Sequence, residues 1–193
     1  MTVRTRILSA VVALGLTGGI ARAADTFQVD AEHSIVLYRV KHLNVGWAYG
    51  TINDPTGTVT WDEQNPQNSS IQMTADLAKL DTDNEKRDEH LRGPDFFNAK
   101  QFPTMTFKST KIAKSSAGEN LYDVTGDLTV HGVTKPVTVT FEHVGTGKDP
   151  WGNIRAGFET TFTVQRSEFD MNYMPEGIGN DVRVTVSFEA TRK

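Results

Sequence analysis

Apolar and polar residues alternate with a period of two along most of this chain, so one face of each extended segment points inward and the other outward. Val36, Tyr38 and Val40 share a face, with Ile35 and Leu37 opposite, and Val59 and Trp61 alternate with Thr58 and Thr60. Ile71, Met73, Ala75 and Leu77 form the next row, followed by Met105 and Phe107. Tyr122 to Val130, Val137 to Phe141, Ile154 to Val164 and Val182 to Phe188 continue the pattern, with Thr-rich opposite faces suited to a solvated antiparallel sheet. Turn residues separate the runs at Asn53-Asp54-Pro55, Asn65-Pro66, Ser115 to Gly118, Gly145-Thr146-Gly147 and Gly177 to Asn180. Eight or more strands with short connections predict an all-β domain, a closed or nearly closed antiparallel barrel, with a two-sheet sandwich as the alternative.

One segment breaks the period. Thr82 followed by Glu85 has the form of a capping box, Asn84 to Leu91 is rich in helix formers, and Gly93-Pro94 ends the run. The pattern predicts one short helix against the rim or side of the barrel. Immediately after it, Phe96-Phe97 and Phe102-Pro103 place aromatics beside charge, an arrangement that covers or lines something apolar.

The first 23 residues read differently. Arg4 and Arg6 precede an apolar stretch from Ile7 to Leu16, and Ala21-Arg22-Ala23 supplies a small-x-small cleavage pattern. A membrane anchor would need a longer apolar stretch without Gly15, Gly18 and Gly19. The reading is a cleaved export signal over 1–23 and one domain over 24–193, hence a periplasmic location. The absence of cysteine leaves no disulfide, thiolate chemistry or lipidation site. Residues 1–23 contain three arginines and no acid, so their removal takes the formal charge from −4 to −7. That balance argues against nucleic acid as a partner, and the sequence has no polybasic run for anionic headgroups.

Candidate chemistry is sparse. The five histidines, His33, His42, His90, His131 and His143, include no H-E-x-x-H pattern and no pair four apart, although convergence from different strands stays open. No G-x-S-x-G elbow or phosphate-cradling loop occurs. No catalytic residue, metal or cofactor is therefore expected.

The binding alternative follows from barrel geometry, since an eight-stranded barrel either fills with side chains or holds one slender ligand. The inward rows give the candidate lining Val36, Tyr38, Val40, Met73, Phe107, Leu128, Phe141, Phe158, Phe162 and Phe188, each of which also fits a plain core. At the rim, Lys41, His42, Arg87, His90 and Arg92 stand near Leu43, Trp47, Leu91, Phe96 and Phe97. They either hold a polar headgroup or form a solvated helix face on which Asp88 and Glu85 pair locally. Met171 to Met174 is a further candidate wall.

The stretch Arg87 to Thr110 resembles the signature of the YceI-like family. Asp30-Ala31-Glu32-His33-Ser34, Val40-Lys41-His42-Leu43, Gly126 to Lys135 and Asp149-Pro150-Trp151-Gly152 match in order and spacing. The resemblance implies an extended eight-stranded lipocalin-like barrel that binds an isoprenoid lipid, a polyprenyl or an isoprenoid quinone such as ubiquinone, in the periplasm. It also implies a link to stress response, no known catalysis for most members and a homodimer; transient membrane contact is a separate expectation for a protein that would move a lipid between membranes. A ligand-free interaction protein with a filled barrel and a lipid-processing enzyme are the other two readings.

Overall fold

The computed structural model describes residues 24–193, so the expected export signal lies outside the described residues. Ten strands and one helix follow in order: β1 (Asp25–His42), β2 (Gly46–Asn53), β3 (Thr56–Trp61), β4 (Ser70–Asp76), β5 (Leu80–Asp81), α1 (Glu85–Arg92), β6 (Thr104–Lys114), β7 (Leu121–Val130), β8 (Val133–Lys148), β9 (Ile154–Gln165) and β10 (Ile178–Arg192). Every pairing is antiparallel, and β10 pairs with β1 to close the ring. Two barrel strands are interrupted. Successive halves of β1 pair with β3 and then β2, so β2 and β3 act as one strand broken at Asp54-Pro55. β4 and β5 likewise form one broken strand alongside them, with a 3-10 turn at Leu77–Lys79 between. Counted this way the barrel has eight strands, as the alternation and the family resemblance predict.

The alternating rows face as expected. Val59, Ile71, Leu77, Val124 and Phe188 are buried, whereas Ile35 and Leu37 on the outer face of β1 are exposed. Two local expectations are corrected. Gly145-Thr146-Gly147 is not a turn but part of β8, next to an irregularity between His143 and Gly145, where glycine accommodates a bulge. The turn falls instead at Asp149–Asn153, whose Asp149 carboxylate accepts from the backbone N–H of Trp151 and Asn153 at 3.0 and 2.8 Å. Similarly, Ile178 to Asn180 begin β10 and do not form a loop.

The helix is where the pattern placed it, but its cap differs. Asn84, not Thr82, is the N-cap, its side chain accepting from Arg87 N–H. Thr82 is buried and donates through its N–H (2.9 Å) and hydroxyl to the buried Asp88 carboxylate. Asp88 therefore ties α1 to the end of β5, and the expected local ion pairing on a solvated helix face does not describe it. Residues 82–103, α1 among them, occupy the place beyond β5 where the ring has no further strand pairing.

Candidate functional site

One end of the barrel is packed solid. Trp61 stands edge-on to Tyr122 and Phe158 at 4.7 and 4.9 Å, and Phe158 stacks between His143 and Phe188. Phe27, Ile112 and Val124 complete this core. His143 is buried there, its Nε2 3.0 Å from Thr146 Oγ1, and desolvation holds its pKa below the ordinary imidazole value, with the Glu63 charge partly opposing.

The other end is hollow. A cavity of about 190 Å³ runs from a floor of Phe107, Phe141 and Phe188 towards Ile178 near the rim. Its surface is apolar throughout. The lining follows β10 from Phe188 to Ile178, a strand contour of at most ~33 Å at ~3.3 Å per residue that is shorter along the axis of the barrel because the strands are tilted. The lining includes Val36, Tyr38, Val40, Met73, Phe96, Phe97, Phe107, Leu128, Phe141, Phe162, Met171 and Phe188. The Tyr38 ring faces the cavity while its hydroxyl lies over Gly50, where a Cβ would stand 2.3 Å away. That hydroxyl has no hydrogen-bond partner among the described residues, and burial raises its pKa well above the usual phenol, with the Asp88 charge adding to the rise.

Five candidate residues lie outside this wall. Phe158 belongs to the filled end, below the cavity floor. Arg92 donates to the Leu80 carbonyl at 3.1 Å, so its guanidinium fastens α1 to β5. His42, Leu43 and Trp47 are exposed at the β1–β2 end beside the mouth. His33 and His131 are held by Asp30 at 2.9 Å and by the Phe169 carbonyl at 3.0 Å, and no metal-ligand cluster occurs among the described residues.

The mouth is closed over by two segments from opposite sides. From the helix side come Leu91, Phe96 and Phe97, with Phe97 N–H donating to Leu91 O at 3.0 Å. From the other come Phe169, the last residue of a 3-10 turn at Arg166–Phe169, and Met171 just after it. The two meet in a ring cluster in which Tyr173 lies 5.2 Å from Phe96 and 5.4 Å from His90. His90 is fixed in turn by Asp95 at 2.9 Å.

Arg166 was not singled out from the sequence. It is buried at 5% exposure and is the one charged residue of the cavity lining among the described residues. Its Nε, Nη1 and Nη2 donate to the carbonyls of Gly179, Met171 and Ile178 at 3.0, 2.5 and 2.9 Å. It has no carboxylate partner among the described residues, and desolvation lowers its pKa. With its polar hydrogens turned to backbone, Arg166 binds the mouth loop to β10 and presents carbon to the cavity. Only the carbonyl arrangement of a folded loop reveals this role, so no sequence signal was available for it.

The YceI-like domain family matches residues 27–190. The chain belongs to this family. A YceI-like relative from Ectopseudomonas mendocina, described as a UPF0312 protein, is 38% identical over 98% of this chain and 99% of its own length. A UPF0312 protein of Pseudomonas aeruginosa is 40% identical, covering 95% of this chain and 97% of its own. Among solved structures, BcnA of Burkholderia cenocepacia superposes with a TM-score of 0.75 at 28% identity, over 84% of this chain and 99% of that one. A polyisoprenoid binding domain from Saccharophagus degradans shares the fold with a TM-score of 0.67 at 14% identity, over 89% of this chain and 100% of that one.

Proposed function

We propose that this protein binds the hydrocarbon tail of an isoprenoid lipid, a polyprenyl or an isoprenoid quinone, in the hollow end of its barrel. The observation that carries the reading is the uniformly apolar surface of a cavity at one end of a barrel whose other end is filled. At ~0.8 kcal/mol per buried methylene, an isoprene unit contributes roughly 3–4 kcal/mol, so about three units offset an association cost of order 10 kcal/mol without a charged clamp. The shared fold of the polyisoprenoid binding domain supports the same ligand class. The polar head stays at the mouth, near His42, Leu43 and Tyr173. Release of residues 1–23 would place the protein in the periplasm as a binding protein and not an enzyme, for storage, transport or stress response.

Val184 faces the cavity from β10, opposite Tyr38 on β1. Val184→Phe fills the lumen. Delipidated parent protein offered ubiquinone or a polyprenyl alcohol should take up one molecule by native mass spectrometry, and the folded variant at least tenfold less. Equal uptake by both proteins would show that the lipid does not sit in the lumen.

A further inference from the structure

The outer face of the barrel beside the mouth combines charge and apolar surface in a way that the cavity does not explain. On β1 the outward positions are Ile35, Leu37, Arg39 and Lys41, and Arg39 lies directly opposite Arg183 of β10. Like charges facing each other across strands destabilise a sheet. Neither arginine nor Lys41 forms an ion pair among the described residues. The Arg39 guanidinium lies 4.4 Å above the Trp47 ring, with Nη1 3.5 Å from the Tyr49 hydroxyl, and its Nε has no hydrogen-bond partner. The arginines flank a shallow groove that also includes Leu37, Tyr49 and Thr185.

Just beyond them the β1–β2 connection projects Val45, 85% exposed, and Leu43, 49% exposed, into solvent, and Trp47 at the start of β2 is 50% exposed. This tip is joined to the mouth. Leu43 N–H donates to Gly177 O at 2.6 Å, and His42 pairs with Ile178, a residue of the cavity lining.

We propose that Leu43, Val45 and Trp47, with Arg39, Lys41 and Arg183, dock the protein on an anionic phospholipid bilayer with the mouth of the barrel at its surface. The apolar tip enters the interfacial layer, where Trp and Tyr are favoured, while the three cations meet lipid phosphates. A bilayer fits better than a second copy of the chain, because a two-fold contact centred on this face would set the arginines of one copy against those of the other. The charges come from strands far apart in sequence, which is why no polybasic run announces them. The proposal rests on the lipid-binding reading, for which it supplies the place where a tail enters or leaves.

The test is flotation of the protein with vesicles of phosphatidylcholine alone or doped with phosphatidylglycerol. At ~1 kcal/mol per surface cation, Arg39→Gln with Arg183→Gln should weaken binding to the anionic vesicles roughly tenfold to thirtyfold. Val45→Asp should weaken it as well, and added salt should release the parent. Because the double substitution relieves a like-charge pair and also gives up the Arg39 contacts with Trp47 and Tyr49, its melting temperature should stay within a few degrees of the parent's. Equal flotation of parent and double variant, or a variant that loses only self-association by sedimentation, would overturn the proposal. Uptake of a short-chain ubiquinone from solution, measured on the same proteins, separates the two claims. A parent that floats but takes up no isoprenoid defeats the lipid-cavity reading alone, and one that takes it up but never floats defeats the docking surface alone.

Discussion

The two ends of the barrel use the same strands with different side-chain volumes. Towards the closed end β9 and β10 carry Phe158 and Phe188, and these meet Trp61 and Tyr122 in ring-to-ring contact. Towards the mouth the same two strands carry Phe162, Val164, Val182 and Val184, which line the cavity and do not meet across it. Both ends are predominantly apolar, with His143 buried at the filled end and Arg166 in the wall of the hollow one. What separates a core from a cavity here is the sum of side-chain volumes across the ring, together with residues 82–103 standing in for wall at the hollow end.

Substitutions on the two ends should therefore separate stability from binding. Phe158→Ala removes the centre of the filled stack and should cost about 3–5 kcal/mol in urea unfolding. Phe162→Ala, two inward positions along the same strand, already faces empty space on one side and should cost about 2 kcal/mol while sharply lowering lipid occupancy. Equal destabilisation at both sites would mean that the mouth end is packed as tightly as the other. Arg166→Met, at the boundary of wall and loop, leaves three carbonyls without their donor and should cost about 3 kcal/mol. Limited proteolysis should then cut within 170–177, a segment that stays protected in the parent if Arg166 holds it.

Smaller effects sharpen the contrast. His143 at the filled end has a depressed folded-state pKa, so the unfolded chain binds the proton more readily. Its contribution is complete above the unfolded value near 6.5 and is lost as pH falls from there towards the folded value. The stability difference between parent and His143→Gln should shrink over that window, and a difference independent of pH would place His143 in contact with water. Tyr173→Ala removes edge contacts worth about 1 kcal/mol across the mouth, and should speed lipid exchange with little change in the melting temperature. Unchanged exchange would exclude the ring cluster with Phe96 and His90 as a gate.

The alternation that predicted Val36, Met73 and Phe107 as inward was legible because strand parity needs only local sequence. Whether an inward residue fills or lines was not, since Phe158 and Phe162 share one face of one strand and differ only in what comes across the ring. Arg92 looked like a rim cation because nothing local showed that the Leu80 carbonyl would take its guanidinium. Thr82 satisfied the spacing of a capping box, yet burial beside Asp88 drew its hydroxyl elsewhere and left the cap to Asn84. The Arg39–Arg183 pair exists only because β10 closes on β1.

The most direct test of a hollow, apolar lumen as the working part of this molecule is the intact mass of the protein purified from its own cells without detergent, followed by lipid extraction. The account predicts one polyprenyl or isoprenoid quinone per chain, lost in Val184→Phe. A parent of bare polypeptide mass that also refuses added ubiquinone and polyprenyl lipid would contradict it.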